Sequence, residues 1–432
     1  MYVSKLKIQG MRGFDGSRSV DLDFTRPDGS YAGWTVFAGR NGSGKTTMLQ
    51  AIALALAGEN FVPDVDGWLG VRQARHAYIS ATIVQDPHFD GGLDIGPLEL
   101  KVQWDEKNSR NRPIWSNSSP RRKSPRQLSQ YAGDGWFYAG YGPFRRLSST
   151  ALGRAESSSR ARYAGLRTLF DEDISLVEGV GWLIEQHLYR LEKRRGAQET
   201  LDAALAILGD GMLPDGYQVC GVDSEGLWIR QNDDELLPLR QMSDGYRTVT
   251  ALVVDIIRQM SVAFQSLHIT EQDGRPTLSY PGLVLIDEVD SHLHVSWQKN
   301  IGEWLKAHFP LIQFIVTTHS PYVCQSADPG GLVRLAGPDE PTHPRVVDQD
   351  LYQRIVYGSG DDAILTELFG VETPYSAEAE KLRRRLGILE DKVLSGEASS
   401  EEVAEYRRLS DRLTSSLSAR VDEVAARLGR DA

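Results

Sequence analysis

Gly39-Arg40-Asn41-Gly42-Ser43-Gly44-Lys45-Thr46 has the residue types and spacing that wrap a chain of phosphates. Glycines let the backbone turn tightly and aim N–H groups at phosphate oxygens. A following helix adds its positive end. In such a loop residues Gly39 to Thr47 form the cradle, Lys45 reaches the β- and γ-phosphates, and Thr46 ligates Mg²⁺. A second chemical group lies far downstream. The apolar run Leu283-Val284-Leu285-Ile286 ends in Asp287-Glu288, and ligands gather at the C-terminal edge of such strands in open α/β sheets. Asp287 would hold Mg²⁺ through water, and Glu288 would orient or deprotonate an attacking water. His319 ends another apolar run, Phe314 to Thr318. A neutral imidazole there could hydrogen-bond a γ-phosphate and report its loss; the bland alternative is a capped strand end. About forty residues before the Asp-Glu pair stands Ser243-Asp244-Gly245-Tyr246-Arg247, a helix start with a serine hydroxyl and free N–H groups. His292 and His294 follow Glu288, but two histidines without a third ligand favour a subunit-contacting loop over a metal site.

These groups need elements to hold them. Trp34 to Ala38 reads as a buried strand feeding the glycine loop, and Thr46 to Leu56 as a helix. Residues 1–8 alternate polar and apolar, and Val20, Leu22 and Phe24 predict a second strand paired with them. Further strands are expected at Tyr78–Val84, Leu98–Trp104 and Trp136–Ala139, and helices over residues 165–208. Val284 and Phe314 to Val316 lie in continuous apolar runs of the parallel-sheet type. Leu382, Leu386, Leu389 and Val393, then Val403, Tyr406 and onward to Leu428, predict a helical hairpin with charged outer faces. The fold class is therefore α/β, with a mixed sheet, a helical insert and that C-terminal hairpin. The expected divisions are residues 1–146 and 213–335 as two ATPase lobes, 147–212 as the insert, and 336–432 as the helical end.

A chain of 432 residues with net charge −11 is not coated in basic surface, yet a local basic stripe suffices to bind nucleic acid. Residues 107–127 hold seven Lys or Arg and no acid, with Arg121, Arg122, Lys123 and Arg126 as the candidate DNA contacts. The segment reads equally as a solvated loop, given its Ser, Asn and Pro. No apolar run is long enough for a membrane span, the N-terminus lacks a signal-peptide core, and two cysteines are too few for a disulfide framework. A cytoplasmic setting fits.

The order of these motifs resembles the ATP-binding-cassette (ABC) ATPases of the SMC/RecF branch. Gly10-Met11-Arg12-Gly13-Phe14 resembles the Phe-Arg-Gly-Phe segment of that branch, which places Arg12 at the nucleotide, and Tyr141 to Arg146 resembles the stretch before its helical insert. The Ser-Asp-Gly-Tyr-Arg form with Asp-Glu-x-Asp-x-His-Leu-His after it is similar to a compact bacterial subgroup. That subgroup includes the PtuA ATPases of Septu-type phage defence and related virulence-annotated ATP-binding proteins. The resemblance implies a P-loop NTPase of ABC-ATPase head type with an antiparallel subdomain, with ATP and Mg²⁺ as cofactors. It implies a homodimer closing head to tail, open to higher assembly, in which Ser243 and Gly245 contact the γ-phosphate held by the partner's Lys45. Arg247 would offset Asp244 or contact the nucleotide. The chain departs from the branch at Met242, Asp244 and Tyr246, and has no glutamine between Tyr138 and Arg146; Gln85, Gln130, or Tyr141 with water could replace it.

Three functions follow. One is a dimeric ATPase that senses or clamps DNA and controls a separate effector such as a nuclease. Another is a RecF-like repair ATPase. The third, a transporter motor, is disfavoured by the Arg12 region, Arg145-Arg146 and the histidine-bearing loop. The insert is too short for coiled-coil arms. The C-terminal hairpin either packs on its own ATPase or docks a partner.

Overall fold

The computed structural model describes residues 1–58, 76–90, 96–105, 113–118, 135–143, 164–171, 178–231, 236–371, 373 and 375–413. Contacts divide the chain into one unit at Met1–Gly370 and a second at Val371–Ala432.

In the first unit, β1 (Tyr2–Gln9) pairs antiparallel with β2 (Val20–Asp23). The chain then enters the core as β3 (Gly33–Ala38), turns through the glycine loop, and forms α1 (Lys45–Ala57). The strands β4 (His76–Val84), β5 (Leu98–Asp105) and β6 (Ile114–Asn117) complete an antiparallel sheet of order β2-β1-β4-β5-β6. Helix α1 is Ala- and Leu-rich on every side, and eleven of its residues are buried, as a helix covered on all faces requires.

Next come β7 (Tyr138–Tyr141), the short α2 (Ala164–Arg167), then α3 (Glu178–Leu191) and α4 (Ala197–Gly209). They lead to β8 (Tyr217–Asp223), β9 (Gly226–Gln231) and β10 (Leu236–Pro238), a small antiparallel sheet. The long helix α5 (Asp244–Phe264) follows, then the hairpin β11 (Thr270–Gln272) and β12 (Arg275–Thr277). The sequence reading anticipated neither the small sheet nor the hairpin. Strands β10 to β12 are three residues long, too short for alternation to stand out, and β8 carries a bulge between Val219 and Gly221. The expected strand at Trp136–Ala139 begins two residues later.

The core sheet is completed by β13 (Gly282–Ile286), α6 (Val295–His308), β14 (Ile312–Thr318), the short α7 (Pro321–Cys324), β15 (Leu332–Arg334) and β16 (Arg345–Val346). Its order is β16-β15-β3-β14-β13-β7, parallel except at β16. Every residue of β13 and β14 is buried, which accounts for the apolar runs Leu283 to Ile286 and Phe314 to Val316. The register sets Ala38 beside Thr318, and Ile286 beside both Val316 and Tyr141. The ends of four strands therefore share one edge. One buried side chain splices the two large sheets: the Gln313 amide accepts the Val3 N–H and donates to the Val3 carbonyl, both at 2.8 Å. This occurs where the β1–β4 register shifts between Val3 and Lys5. A mixed core sheet, an antiparallel sheet beside it and helices between β7 and β8 give the α/β class that the sequence predicts.

The helices α8 (Gln349–Val356) and α9 (Gly360–Ile364) close the first unit. The second unit is the hairpin of α10 (Ala377–Leu394) and α11 (Ser400–Leu413), joined by the ion pairs Arg385–Glu405 and Lys392–Glu402 around buried Leu389. The last apolar repeats of that hairpin, beyond residue 413, lie outside the described residues. Of the two cysteines, Cys220 on β8 is exposed and Cys324 on α7 is buried.

Candidate active site

The shared strand edge brings the two sequence-distant groups together. Thr46, in the first turn of α1, donates its hydroxyl to Asp287 Oδ2 at 2.7 Å. Thr317, at the end of β14, donates to Asp287 Oδ1 and accepts the Glu288 N–H at 2.7 Å. Asp287 is 1% exposed, so both carboxylate oxygens are held by hydroxyls from two other elements. Lys45 turns back over the loop and donates to the carbonyls of Gly39 at 2.9 Å and Arg40 at 3.3 Å. Burial lowers its ammonium pKa, while Asp287, Glu288 and Asp290 draw it back up. The loop turns through Gly42 (φ 75°) and Gly44 (φ 97°), where only glycine is free of strain. The Ser43 hydroxyl is buried and makes no hydrogen bond.

Glu288 has φ 44°, a left-handed conformation uncommon for a non-glycine residue. Ser291 donates to Glu288 Oε2 at 3.1 Å. Asp290 fixes the neighbouring strand end, accepting from the Thr318 hydroxyl and from the His319 N–H at 3.3 Å. His319 thus stands beside the same edge. Desolvation and then the charge of Lys45 lower its pKa, with Asp290, Glu288 and Asp287 opposing; the ring is neutral near pH 7.

The Ser-Asp-Gly-Tyr-Arg segment opens α5. Ser243 is its N-cap residue, yet its side chain makes no capping bond. Gly245 lies against the loop after β13: a Cβ there would stand 2.6 Å from the His292 carbonyl oxygen. Helix start and loop are therefore in backbone contact, which only glycine permits. Arg247 pairs with Asp244 within the helix at 3.1 Å. The Tyr246 ring packs edge-on against Tyr217 and its hydroxyl donates to Asp215 at 2.8 Å. Tyr246 thus anchors α5 to the small sheet. His294 caps α6 by accepting from the Ser296 N–H. Asp215, Ser243, Tyr246, His292 and Trp297 border a cavity of about 570 Å³ at this helix start.

Arg12 has φ 39° and donates to Gln50 Oε1 at 2.9 Å. Tyr141 is buried, and its hydroxyl donates to Asp255 of α5 at 2.9 Å, while its carbonyl accepts the Asp287 N–H at 2.7 Å. It links the strand edge to α5. Gln85 follows Val84, which pairs with Tyr2 at the start of β1; that end of the sheet is opposite the glycine loop. Gln130, Arg145, Arg146 and the candidate DNA contacts Arg121, Arg122, Lys123 and Arg126 lie outside the described residues. Sequence reasoning overlooked Thr317 and Asp290, whose hydrogen bonds order the acidic edge; the paired threonines before His319 were the available signal.

Residues 193–325 match the family described as "AAA domain, putative AbiEii toxin, Type IV TA system", and residues 5–118 match one described as "AAA domain". The second match spans the glycine loop and the first spans Ser243 to His319. Both stretches are thus similar to AAA domains. It resembles the Septu protein PtuA of Bacillus mycoides (strain KBAB4), with 27% identity over 74% of this chain and 38% of that protein. The Retron Ec83 probable ATPase of Escherichia coli is 46% identical over 21% of this chain and 16% of that relative. The chain thus covers well under two thirds of the length of these relatives. A solved SMC head bound to the C-winged helix domain of ScpA aligns at 15% identity with a TM-score of 0.49, over 80% of this chain and 98% of that one. No helix among the described residues is long and apolar enough to cross a membrane.

Proposed function

We propose that the ATPase domain binds ATP with Mg²⁺ and hydrolyses it within a head-to-tail pair of chains. The carrying observation is the Thr46–Asp287–Thr317 hydrogen-bond chain beside Glu288 and His319. The donor set fits Mg²⁺, which takes hydroxyl and carboxylate oxygens and keeps several waters: Thr46 would ligate it and Asp287 would hold it through water. When bound, the ion would neutralise charge on the phosphate oxygens. Lys45 supplies a second positive charge, and the unpartnered Ser43 hydroxyl has a donor to give. Glu288 positions the attacking water and accepts its proton, and neutral His319 donates a hydrogen bond to the γ-phosphate. In the partner chain Ser243 and Gly245 face that same phosphate, since the Ser243 side chain is not spent on capping its own helix. Arg12 and the loop residues Arg40, Asn41 and Thr47 belong to the same cradle. Arg247, paired with Asp244, neutralises the acid that this chain places between Ser243 and Gly245.

The likeness to a Septu protein and a retron ATPase supports a role in antiphage defence, in which the ATP-bound pair engages DNA and controls a separate effector such as a nuclease. Replacing Glu288 with Gln keeps the hydrogen-bonding shape but removes the base. The Glu288→Gln chain is expected to form a stable dimer in ATP with hydrolysis reduced at least about a hundredfold. A monomer in saturating ATP, by mass photometry, would refute the sandwich.

A further inference from the structure

We propose that Arg18 is a positioning residue for the phosphate loop, an inference that rests on reading residues 39–46 as the ATP cradle. Arg18 touches none of those residues' hydrogen-bonding groups. Its guanidinium instead joins two backbone segments that each touch the loop. Nε donates to the Gly13 carbonyl at 3.1 Å; Nη2 donates to Ala336 at 3.2 Å; Nη1 donates to Gly337 and, at 3.4 Å, to Glu340. A lysine ammonium has three donors at one point, whereas the planar guanidinium fork can span four carbonyls on two segments.

Each flank presses on a glycine of the loop. On one side Phe14, 1% exposed, sets its ring where a Cβ on Gly44 would stand, 2.4 Å away. On the other, Pro338 lies 3.3 Å from the position of a Cβ on Gly42. Both glycines hold positive φ, so their N–H directions depend on that confinement. The flanks are themselves braced. Asp15 accepts the Gly16 N–H at the head of the turn that carries Arg18, and Arg334 holds Glu340 Oε2 at 2.6 Å while the Glu340 N–H closes onto the Gly337 carbonyl. Among the described residues, Arg18 ties one flank to the other. Without it, the Pro338 flank keeps its Leu335–Ala38 hydrogen bond and the Arg40–Asp339 ion pair, but the Phe14 flank is no longer tied to it, and the nucleotide must hold the Gly44 side of the loop at a cost in affinity.

The test is titration of the full chain with a fluorescent ATP analogue, alongside steady-state ATPase kinetics, for wild type, R18A, R18K and the control K45A. Losing several charge-assisted hydrogen bonds is expected to weaken ATP binding and raise KM about tenfold in R18A. kcat is expected to stay within about twofold, because the loss precedes chemistry. R18K recovers part of the affinity, and hydrogen exchange over residues 39–47 rises in R18A. Unchanged affinity in R18A, with K45A losing it, overturns the proposal. Wild type that binds no ATP overturns the cradle reading instead. Should R18A not fold, R18Q keeps two donors on a shorter stem, and a folded R18Q with wild-type KM overturns the proposal equally.

Discussion

Asp287 shows what a single residue can and cannot announce from sequence. Its place at the end of an apolar strand, before Glu288 and downstream of a glycine loop, was legible. Thr46 was already placed near it by the shared Mg²⁺ reading; Thr317 was not, because it reaches Asp287 only through the β13–β14 register. Tyr246 is a different case: read in sequence only as a departure from the branch, it anchors α5 to Asp215 and Tyr217. A third residue carries pH dependence. His308 is fully buried beneath Trp304, donates Nδ1–H to the Pro276 carbonyl at 2.7 Å, and has Asp210 at 3.5 Å from Nε2. Burial lowers its pKa below the ordinary 6.5, outweighing the Pro276 hydrogen bond and Asp210, and is aided by Arg275. The unfolded chain therefore binds a proton that the folded chain refuses. Stability is full above about pH 6.5 and falls as the pH drops from there toward the depressed folded value. Denaturant midpoints measured between pH 5 and 8 should show this slope, and His308→Gln should flatten it.

At the scale of elements, the strands read from apolar runs, Leu283 to Ile286 and Phe314 to Val316, are the ones that build the site, since burial on both faces favours apolar side chains there. The small sheet of β8 to β10 was missed although Val219, Val222, Leu227 and Ile229 face inward; a bulge between Val219 and Gly221 breaks its alternation. Gln313 was also silent in sequence, a polar residue inside a buried strand. Its amide satisfies both backbone groups of Val3. Gln313→Ala should leave them unpaired and cost about 3 kcal/mol, read as a lowered denaturant midpoint. Midpoints equal to wild type would mean that water replaces the amide.

For the whole molecule, a net charge of −11 must coexist with any contact to DNA. Such binding would depend on local cations and be lost as salt rises. Replacing Arg121, Arg122 and Lys123 together with Ala should weaken DNA binding and reduce its salt slope by roughly two to three, measured by fluorescence anisotropy across a salt series. Unchanged slopes would assign the segment to solvent. The thiols add a practical consequence at this scale. Cys324 is sealed inside the core and burial raises its pKa out of the reactive range, whereas Cys220 stands on the open face of β8. Maleimide chemistry on the unmutated chain therefore has one accessible attachment point, remote in sequence from every residue of the cradle. A donor–acceptor dye pair placed there, one on each of two chains, turns nucleotide-driven association into an optical distance.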